Sequence, residues 1–339
     1  MRIVIVGAGI GGLSAARMAA RAGHEVVVAE QAPRVRAVGA GILLDEGALA
    51  LLAATGFDLE GIGRPLASMA ITTASGARRG VVRGRWSFAR EELMAALVRG
   101  VEPVARIRTS APVQEVVDDG DRVRCTIAGR EETADVVIGA DGLMSTVRSR
   151  VDPSARIRET GQVCWRGIVE MDAGAEGTEL WTGLERVGVV PLPEGRTYVY
   201  VVRARVADDE GLRAAGVLPE RERRAASLLA HLPAERILRH DLRELDRPTW
   251  GRGRVLLLGD AAHALTPNLG LGAALAVGDA AALVEALGDP STASRRYRRR
   301  RHALVRSTQL LSRRLGRIAH DATAFSRLVR AAAGLDGAG

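Results

Sequence analysis

The first thirty residues constrain this chain more than any other stretch. Arg2-Ile3-Val4-Ile5-Val6 is apolar and β-branched, the composition of a strand buried on both faces. Gly7-Ala8-Gly9-Ile10-Gly11-Gly12 follows directly, then a helical pattern from Leu13 to Arg21. A second buried strand, from Glu25 to Ala29, ends at Glu30. Strand, G-x-G-x-x-G at Gly7, Gly9 and Gly12, helix, strand and terminal acid make a βαβ unit suited to a dinucleotide. Gly7 permits the tight turn, Gly9 lets a pyrophosphate approach the backbone, and Gly12 lets the helix sit close on the strand. The helix N-terminus offers unpaired N–H groups to the phosphates, and Glu30 is placed to accept hydrogen bonds from ribose hydroxyls.

What surrounds this unit narrows the class. With 339 residues the chain can bury a large core, and its 47% hydrophobic and 26% charged fractions are those of a globular protein. Aromatic residues make up only 3%, so any pocket is walled mainly by aliphatic side chains. All 48 basic residues are arginine and the net charge is +8. These arginines are spread among acids, so nucleic acid is not an expected partner, although a basic surface favours anionic substrates. Cys125 and Cys164 lie far apart without ligand-like spacing, so neither a disulfide nor a metal site is expected and a cytoplasmic location fits. No secretory leader is expected. Asp279 interrupts the apolar run from Ala273 to Val284, so no membrane insertion is expected either.

The pattern divides the chain into four parts. Residues 1–158 hold the first part of the dinucleotide domain, with a small β-rich excursion near 69–82. Residues 159–250 form a β-rich layer, 251–290 resume the first domain, and 291–339 are C-terminal helices. After the polar loop from Gln31 to Arg36 comes Val38-Gly39-Ala40-Gly41-Ile42, where the glycines mean either a sharp turn or backbone close to something flat. Leu43 to Gly56 reads as a helix, and Met69 to Val82 as a hairpin turning at Ala74-Ser75-Gly76. Arg90 opens a helix whose Glu91 and Glu92 suit the dipole. Arg90 itself does not, so it either holds an anion or lies at the surface.

Val104 to Val117, Arg122 to Ile127 and Ala134 to Gly139 read as strands, the last running into Ala140-Asp141-Gly142 and a short helix at Ser145 to Arg148. Gln162 to Met171, Thr178 to Leu184, Val187 to Pro191 and Thr197 to Val206 look like an antiparallel sheet. Helical pieces follow at Asp208 to Ala215 and Glu220 to Leu232. Arg254 to Asp260 is another buried strand ending in Gly-Asp, Ala261 to Pro267 a loop, and Gly270-Leu271-Gly272 the start of a helix through about Leu287. Ser294 to Ile318 is a very basic helix. Its Arg298-Arg299-Arg300-Arg301 run spans more than a turn and cannot all face one partner, so a solvated helix is expected.

Three Gly/Asp-rich strand ends thus converge on one cofactor: Gly7 to Gly12 with Glu30, Asp141-Gly142, and Gly259-Asp260. In order and spacing they resemble the motifs of the flavin-dependent aromatic hydroxylases of the p-hydroxybenzoate hydroxylase type, the single-component FAD monooxygenases, over nearly the whole chain. The resemblance implies an α/β fold: a Rossmann-like FAD-binding domain (GR2-type) with an inserted β-sheet substrate domain and C-terminal helices. It places Gly7, Gly9 and Gly12 around the FAD pyrophosphate and Glu30 on the adenosine ribose. Arg36 joins the cofactor-binding set, and Gly41 and Ile42 pass beside the isoalloxazine. Arg90, followed by Leu93, reaches the FAD backbone, and the main chain of Val113 meets the adenine. Asp141 and Gly142 form the D-G motif, and Asp260 in the G-D motif holds the ribityl chain. Pro267, Gly270, Gly272 and Ala273 lie against the flavin edge. There the helix N-terminus stabilises the anionic reduced ring. Leu271, Ala274 and Gly278 depart from the family's usual Gln, Asn and Glu.

Arg166, in a Trp165-Arg166-Gly167 segment similar to that of some family members, and Pro267 are the candidates beside the reacting centre. Arg166 either binds an anionic substrate or pairs with an acid in the sheet. His263 is tempting as a base, but its place in the G-D motif favours a structural role. Trp181 is either core or pocket wall.

The chemistry implied is that of an NAD(P)H-consuming monooxygenase, with NAD(P)H as a transient reductant without a Rossmann site of its own. It would hydroxylate or epoxidise a small aromatic or polyketide-like molecule with O₂ through a C4a-hydroperoxyflavin. The alternative is a reductase or dehydrogenase of the same fold without oxygen transfer. A plain NAD dehydrogenase is disfavoured because it does not need the distant Gly259-Asp260 motif. A monomer or homodimer is expected.

Overall fold

The computed structural model describes residues 1–35, 40–73, 78–205 and 219–320. At its centre is a six-stranded sheet in the order Gly251–Arg252, Val255–Leu257, Val136–Gly139, Arg2–Val6, Glu25–Ala29, Arg106–Arg108. All neighbours run parallel except the edge strand Gly251–Arg252. The central strands are almost wholly Val, Ile and Leu because both faces are covered. On one face lie the helices Ile10–Arg21, Arg90–Val101 and Gly272–Ala286. On the other lie an antiparallel sheet of Val113–Asp118, Val123–Ile127 and Arg130–Ala134, and the short helix Thr146–Val151. Small residues let the layers close. A Cβ on Gly11 would stand 2.6 Å from the Leu258 side chain and 3.2 Å from that of Ala276, so this glycine seats the first helix against the late one.

A seven-stranded sheet stands beside this domain, in the order Leu238–Leu245, Ile157–Glu170, Arg196–Ala204, Glu185–Pro191, Glu176–Trp181, Ser68–Thr73, Arg78–Val82. Helix Glu220–Ala230 covers its outer face through Ala225, Ala226 and Leu229. The inner face meets the first domain through Val190, Leu192 and Tyr198 against Ala40 and Leu66. The 30-residue helix Pro290–Ala319 closes the described chain, its start capped by the Asp289 carboxylate on the Ser291 N–H. No helix among the described residues is long and apolar enough to cross a membrane.

The α/β architecture, with its parallel sheet, strand-built second layer and C-terminal helix, matches the expectation; several local readings do not. Leu43 to Gly56 is not one helix: Gly41–Asp45 is a strand paired with Arg85–Ala89, and the helix runs only over Glu46–Ala54. An apolar Ile-Leu-Leu run fits either state, and pairing with a distant strand decided it. The excursion near 69–82 is an antiparallel pair, as read, but it joins the seven-stranded sheet by a parallel pairing of Ser68–Thr73 with Glu176–Trp181, so that sheet is mixed rather than antiparallel. Leu238–Leu245, rich in charges, was not recognised as a strand, yet it pairs with Ile157–Glu170. The stretch after Asp260 is not wholly loop, since Asp260–His263 makes a helical turn. Arg36, Val38-Gly39, the Ala74-Ser75-Gly76 turn, Asp208 to Ala215 and the chain beyond 320 lie outside the described residues.

Candidate active site

The glycine loop is shaped by backbone contacts. Gly7 has φ +101°, and a Cβ there would lie 2.5 Å from the Ala140 carbonyl oxygen. A Cβ on Gly12 would lie 2.0 Å from the Gly7 carbonyl oxygen, which makes Gly12 the contact point of helix and strand. Gly9 differs, because its φ of −76° suits any residue and no protein atom lies within 4 Å of its Cβ position. That open side is where a pyrophosphate fits. Gly9 caps helix Ile10–Arg21 without a side-chain hydrogen bond, and the first turn carries no acid. The Glu30 carboxylate accepts the backbone N–H of Ala8 and of Ala32, each at 2.9 Å, which fixes it beside the loop. Two such bonds leave a carboxylate with acceptor capacity for ribose hydroxyls.

The other two strand ends meet the same edge. Asp141 accepts the Ser145 hydroxyl at 2.5 Å and the Val147 N–H at 3.2 Å, so this carboxylate holds the turn into helix Thr146–Val151. Gly142 beside it has φ +76°. Arg148, buried behind this turn, donates to the Ala261 carbonyl at 3.1 Å and so ties the second strand end to the third. Asp260 is exposed at the start of its helical turn, after Gly259 at φ +58°. Pro267 is exposed at the first position of a 3₁₀ turn that ends at Gly270, φ +61°. Gly272 then opens a 15-residue helix whose start has neither a capping side chain nor an acid in its first turn, with Ala273 half-buried behind it. An uncapped N-terminus of this length favours an anion. Val113 is buried in its strand.

The inner face of the large sheet supplies the polar groups. Register places Arg166 opposite Tyr200, Ile168 opposite Tyr198, and Cys164 opposite His240, so these side chains share one face. Arg90, held by its own N–H on the Ala40 carbonyl, stands near Arg166, Asp260 and Tyr198. Burial and then Arg166 lower the Arg90 pKa, while Asp260 and Tyr198 oppose them. The Nε atoms of Arg90 and Arg166 are buried with no hydrogen-bond partner among the described residues. Arg166 Nη2 lies 3.4 Å from His240 Nδ1. Burial, then Arg166 and Arg90, lower the His240 pKa against Asp241, which favours the neutral imidazole. Arginine only donates, so Nδ1 accepts and the proton sits on Nε2. Burial pushes the Tyr198 phenol up to about 12 and the Cys164 thiol up to about 11.

Among the described residues the acid partner foreseen as one option for Arg166 is not there: its neighbours are Arg90, Tyr198 and His240. Trp165 points to the other face, beneath the Arg203 guanidinium at 4.7 Å from the ring centroid. Trp181 is buried on the site face and donates its Nε1–H to Glu179 at 2.6 Å. Glu179 also accepts the Tyr200 hydroxyl and pairs with buried Arg186. Sequence reading missed Tyr198, Tyr200, Glu179, Arg186 and His240. The available signal was period-two placement of polar groups inside apolar strands, as in Thr197-Tyr198-Val199-Tyr200.

His263 lies away from this face. It is buried against Asp279, whose other oxygen takes Arg301 Nε at 2.7 Å and which also accepts the Gly259 N–H at 3.1 Å. Replacing Asp260 by Ala is expected to leave the fold intact, because the side chain is exposed, and to weaken FAD retention at least about tenfold. Flavin content after gel filtration measures this, and unchanged occupancy would remove Asp260 from the site.

Comparison with known proteins shows the family and the cofactor. The profile of the FAD binding domain family matches residues 1–308. The chain is 38% identical over 304 residues to 2-heptyl-3-hydroxy-4(1H)-quinolone synthase of Pseudomonas aeruginosa, covering 83% of this chain and 79% of that one. It is 31% identical to aurachin C monooxygenase/isomerase of Stigmatella aurantiaca, over 97% and 92% of the two chains. The crystal structure of Klebsiella pneumoniae HpxO with FAD and uric acid superposes with a TM-score of 0.82 at 25% identity, over 99% of this chain and 95% of that one. The open glycine loop, the two uncapped helix starts and the unpartnered Nε atoms of Arg90 and Arg166 fit the phosphates and the ring of one flavin dinucleotide. The chain belongs to the FAD-binding monooxygenase family, and it is a flavoprotein monooxygenase with FAD as its cofactor.

Proposed function

We propose that this monooxygenase hydroxylates a small nitrogen heterocycle bearing a ring carbonyl or enol, of quinolone type, with NAD(P)H as transient reductant. The observation that carries this is the grouping of Arg90, at its helix start, with Arg166 and His240 on the sheet face, both guanidinium Nε atoms being unpartnered and Arg166 having no carboxylate partner among the described residues. Such a face favours an oxygen that carries or develops negative charge, as a ring carbonyl does when its tautomer becomes the enolate. One relative named above is a synthase of a hydroxylated quinolone and one neighbour holds uric acid, as their names state, which supports the same substrate class.

FAD, when bound, supplies the activated oxygen from O₂ and the electrons from the nicotinamide. This chain's residues do the rest. Arg166 holds the substrate oxygen and keeps the His240 proton on Nε2, where it donates. The uncapped start of helix Gly272–Ala286 stabilises negative charge at its tip. Ile168, Val190 and Leu238 make the apolar wall that excludes water. Cys164, Tyr198 and Tyr200 remain protonated at neutral pH, so the proton leaving the substrate goes elsewhere than to these groups.

The experiment is a screen of quinolones, hydroxypyridines and phenols for faster anaerobic flavin reduction, followed by oxygen incorporation from labelled O₂. A quinolone-type substrate that speeds reduction and is hydroxylated is expected. A response confined to simple phenols would overturn the substrate class. Arg166→Ala is expected to lower kcat/KM about 10- to 100-fold, the worth of a charged hydrogen bond, with flavin content unchanged. Loss of flavin in that variant would instead make Arg166 a cofactor ligand.

A further inference from the structure

The last helix carries a surface that the flavin chemistry does not use. Pro290–Ala319 contains ten arginines and no acid. Its inward side is filled by Tyr297, Val305, Thr308, Gln309 and Ser312. At 100° per residue, the opposite side presents Arg299, Ala303, Ser307, Leu310, Leu311 and Arg314 in one stripe, with Leu304 at its edge. Leu304, Leu310 and Leu311 are 50%, 48% and 49% exposed, three large apolar side chains within eight residues of a helix that otherwise exposes cations. Among the described residues, Arg299 and Arg314 have no ion-pair partner, whereas Arg300 is paired with Glu285.

Along one flank of the same helix runs a groove of about 450 Å³ between its first turns and the segment around Gly251. Arg252, Arg295 and Arg298 line it with Ser291 and Ser294. Its one carboxylate, Asp152, is already engaged by Arg247 at 2.8 Å. The groove lies at the N-terminal end of strand Val255–Leu257, whereas Gly7 and Gly259 mark the C-terminal ends of the parallel strands. It is therefore at the opposite end of the sheet from the cofactor edge.

We propose that this helix docks the enzyme on the surface of an anionic lipid bilayer, with Leu304, Leu310 and Leu311 entering the headgroup region and the arginines meeting lipid phosphates. Charge complementarity selects this occupant. A second copy packing by the same face would set two acid-free arginine stripes against each other. Nucleic acid pairs with cations too, but it has no use for three exposed leucines, where a single-strand binder presents aromatic rings for stacking. Apolar side chains interleaved with arginine suit an interface whose outer layer is phosphate and whose inner layer is hydrocarbon. The docking is reversible and at the surface, since no helix among the described residues can cross.

The test is sedimentation of the holoenzyme with vesicles of phosphatidylcholine alone and of phosphatidylcholine mixed with phosphatidylglycerol. About tenfold more protein is expected with the anionic vesicles at low salt, falling as salt is raised. The combined Leu304→Ser, Leu310→Ser and Leu311→Ser variant is expected to fall toward the phosphatidylcholine level while keeping its flavin and its turnover. Arg299→Glu with Arg314→Glu is expected to lose the preference for anionic lipid. Equal sedimentation with both vesicle types overturns the proposal, and so does a leucine variant that sediments like the parent. Binding to an oligonucleotide as tight as to vesicles assigns the face to nucleic acid instead. A leucine variant that changes oligomeric state without lipid assigns it to a second copy, which also overturns the proposal.

Discussion

Asp279→Ala is expected to be the most destabilising single change in the first domain. Asp279 is fully buried and is the shared acceptor of His263, Arg301 Nε and the Gly259 N–H. Removing it leaves a buried guanidinium and a buried imidazole without their counter-charge, and breaking such a pair costs about 3–5 kcal/mol. The damage is not confined to stability. Gly259 precedes Asp260, so the turn that presents Asp260 loses one of its anchors, and FAD retention is expected to fall with Tm. Thermal melting and flavin content of the purified variant measure both effects. A variant within about 1 kcal/mol of the parent would mean that the network contributes little.

Asp279→Asn adds a second reading of the same network. Burial opposes the charged His263, but Asp279 beside it wins and raises its pKa above the ordinary 6.5. Burial likewise opposes the Asp279 carboxylate, but His263 and Arg301 hold its pKa below the ordinary 3.8. A raised histidine stabilises fully below its unfolded pKa and loses that contribution as pH rises through the folded value. A lowered carboxylate stabilises above its unfolded pKa and loses that contribution as pH falls through the folded one. The pair therefore contributes most between those two ordinary values. The parent is expected to lose Tm from mildly acid to alkaline pH more steeply than Asp279→Asn. Parallel profiles would show that His263 carries no such proton.

The second large effect separates two glycines that look equivalent in the motif. Gly12→Ala drives a methyl to 2.0 Å from the Gly7 carbonyl oxygen, which is backbone and cannot swing aside. The helix must lift from the strand, so the variant is expected to lose about 1–3 kcal/mol or more and most of its FAD. Gly9→Ala meets no protein atom within 4 Å and has a backbone angle any residue accepts. Its apoprotein is expected to melt like the parent while FAD affinity drops at least about tenfold, because the methyl fills space the pyrophosphate needs. Equal flavin content in Gly9→Ala and the parent would refute the placement of the phosphates at this loop.

What was legible beforehand followed from short-range chemistry. The strand at Arg2–Val6, the turn at Gly7, the helix and the strand ending at Glu30 lie within one βαβ unit, so spacing alone carried the reading, and the observed strands begin and end where the pattern placed them. Asp141-Gly142 and Gly259-Asp260 were legible for the same reason: each closes a run of buried β-branched or leucine residues, and parallel order brings such ends to one edge. His263 lies buried against Asp279, although nothing near it in the chain named Asp279 or Arg301 as its partners. Arg166 stood out in its Trp-Arg-Gly segment, but its surroundings did not. Whether it met an acid or His240 and Tyr198 depended on which residues of Leu238–Leu245 and Arg196–Ala204 came into register beside it.

Leu238–Leu245 shows why the rest was hidden. Its His, Asp, Arg and Glu residues read as solvent-exposed until a neighbouring strand and the first domain cover one face, after which His240 is half-buried beside Arg166. Local composition was enough for the dinucleotide cradle and for FAD, because a helix start, a glycine turn and an acid act within one stretch of chain. The sheet face proposed for the substrate was decided only in three dimensions. A sheet face gathers its side chains from four or five strands far apart in sequence, and a shift of one residue in any register would turn Arg166, Tyr198 or His240 to the opposite face.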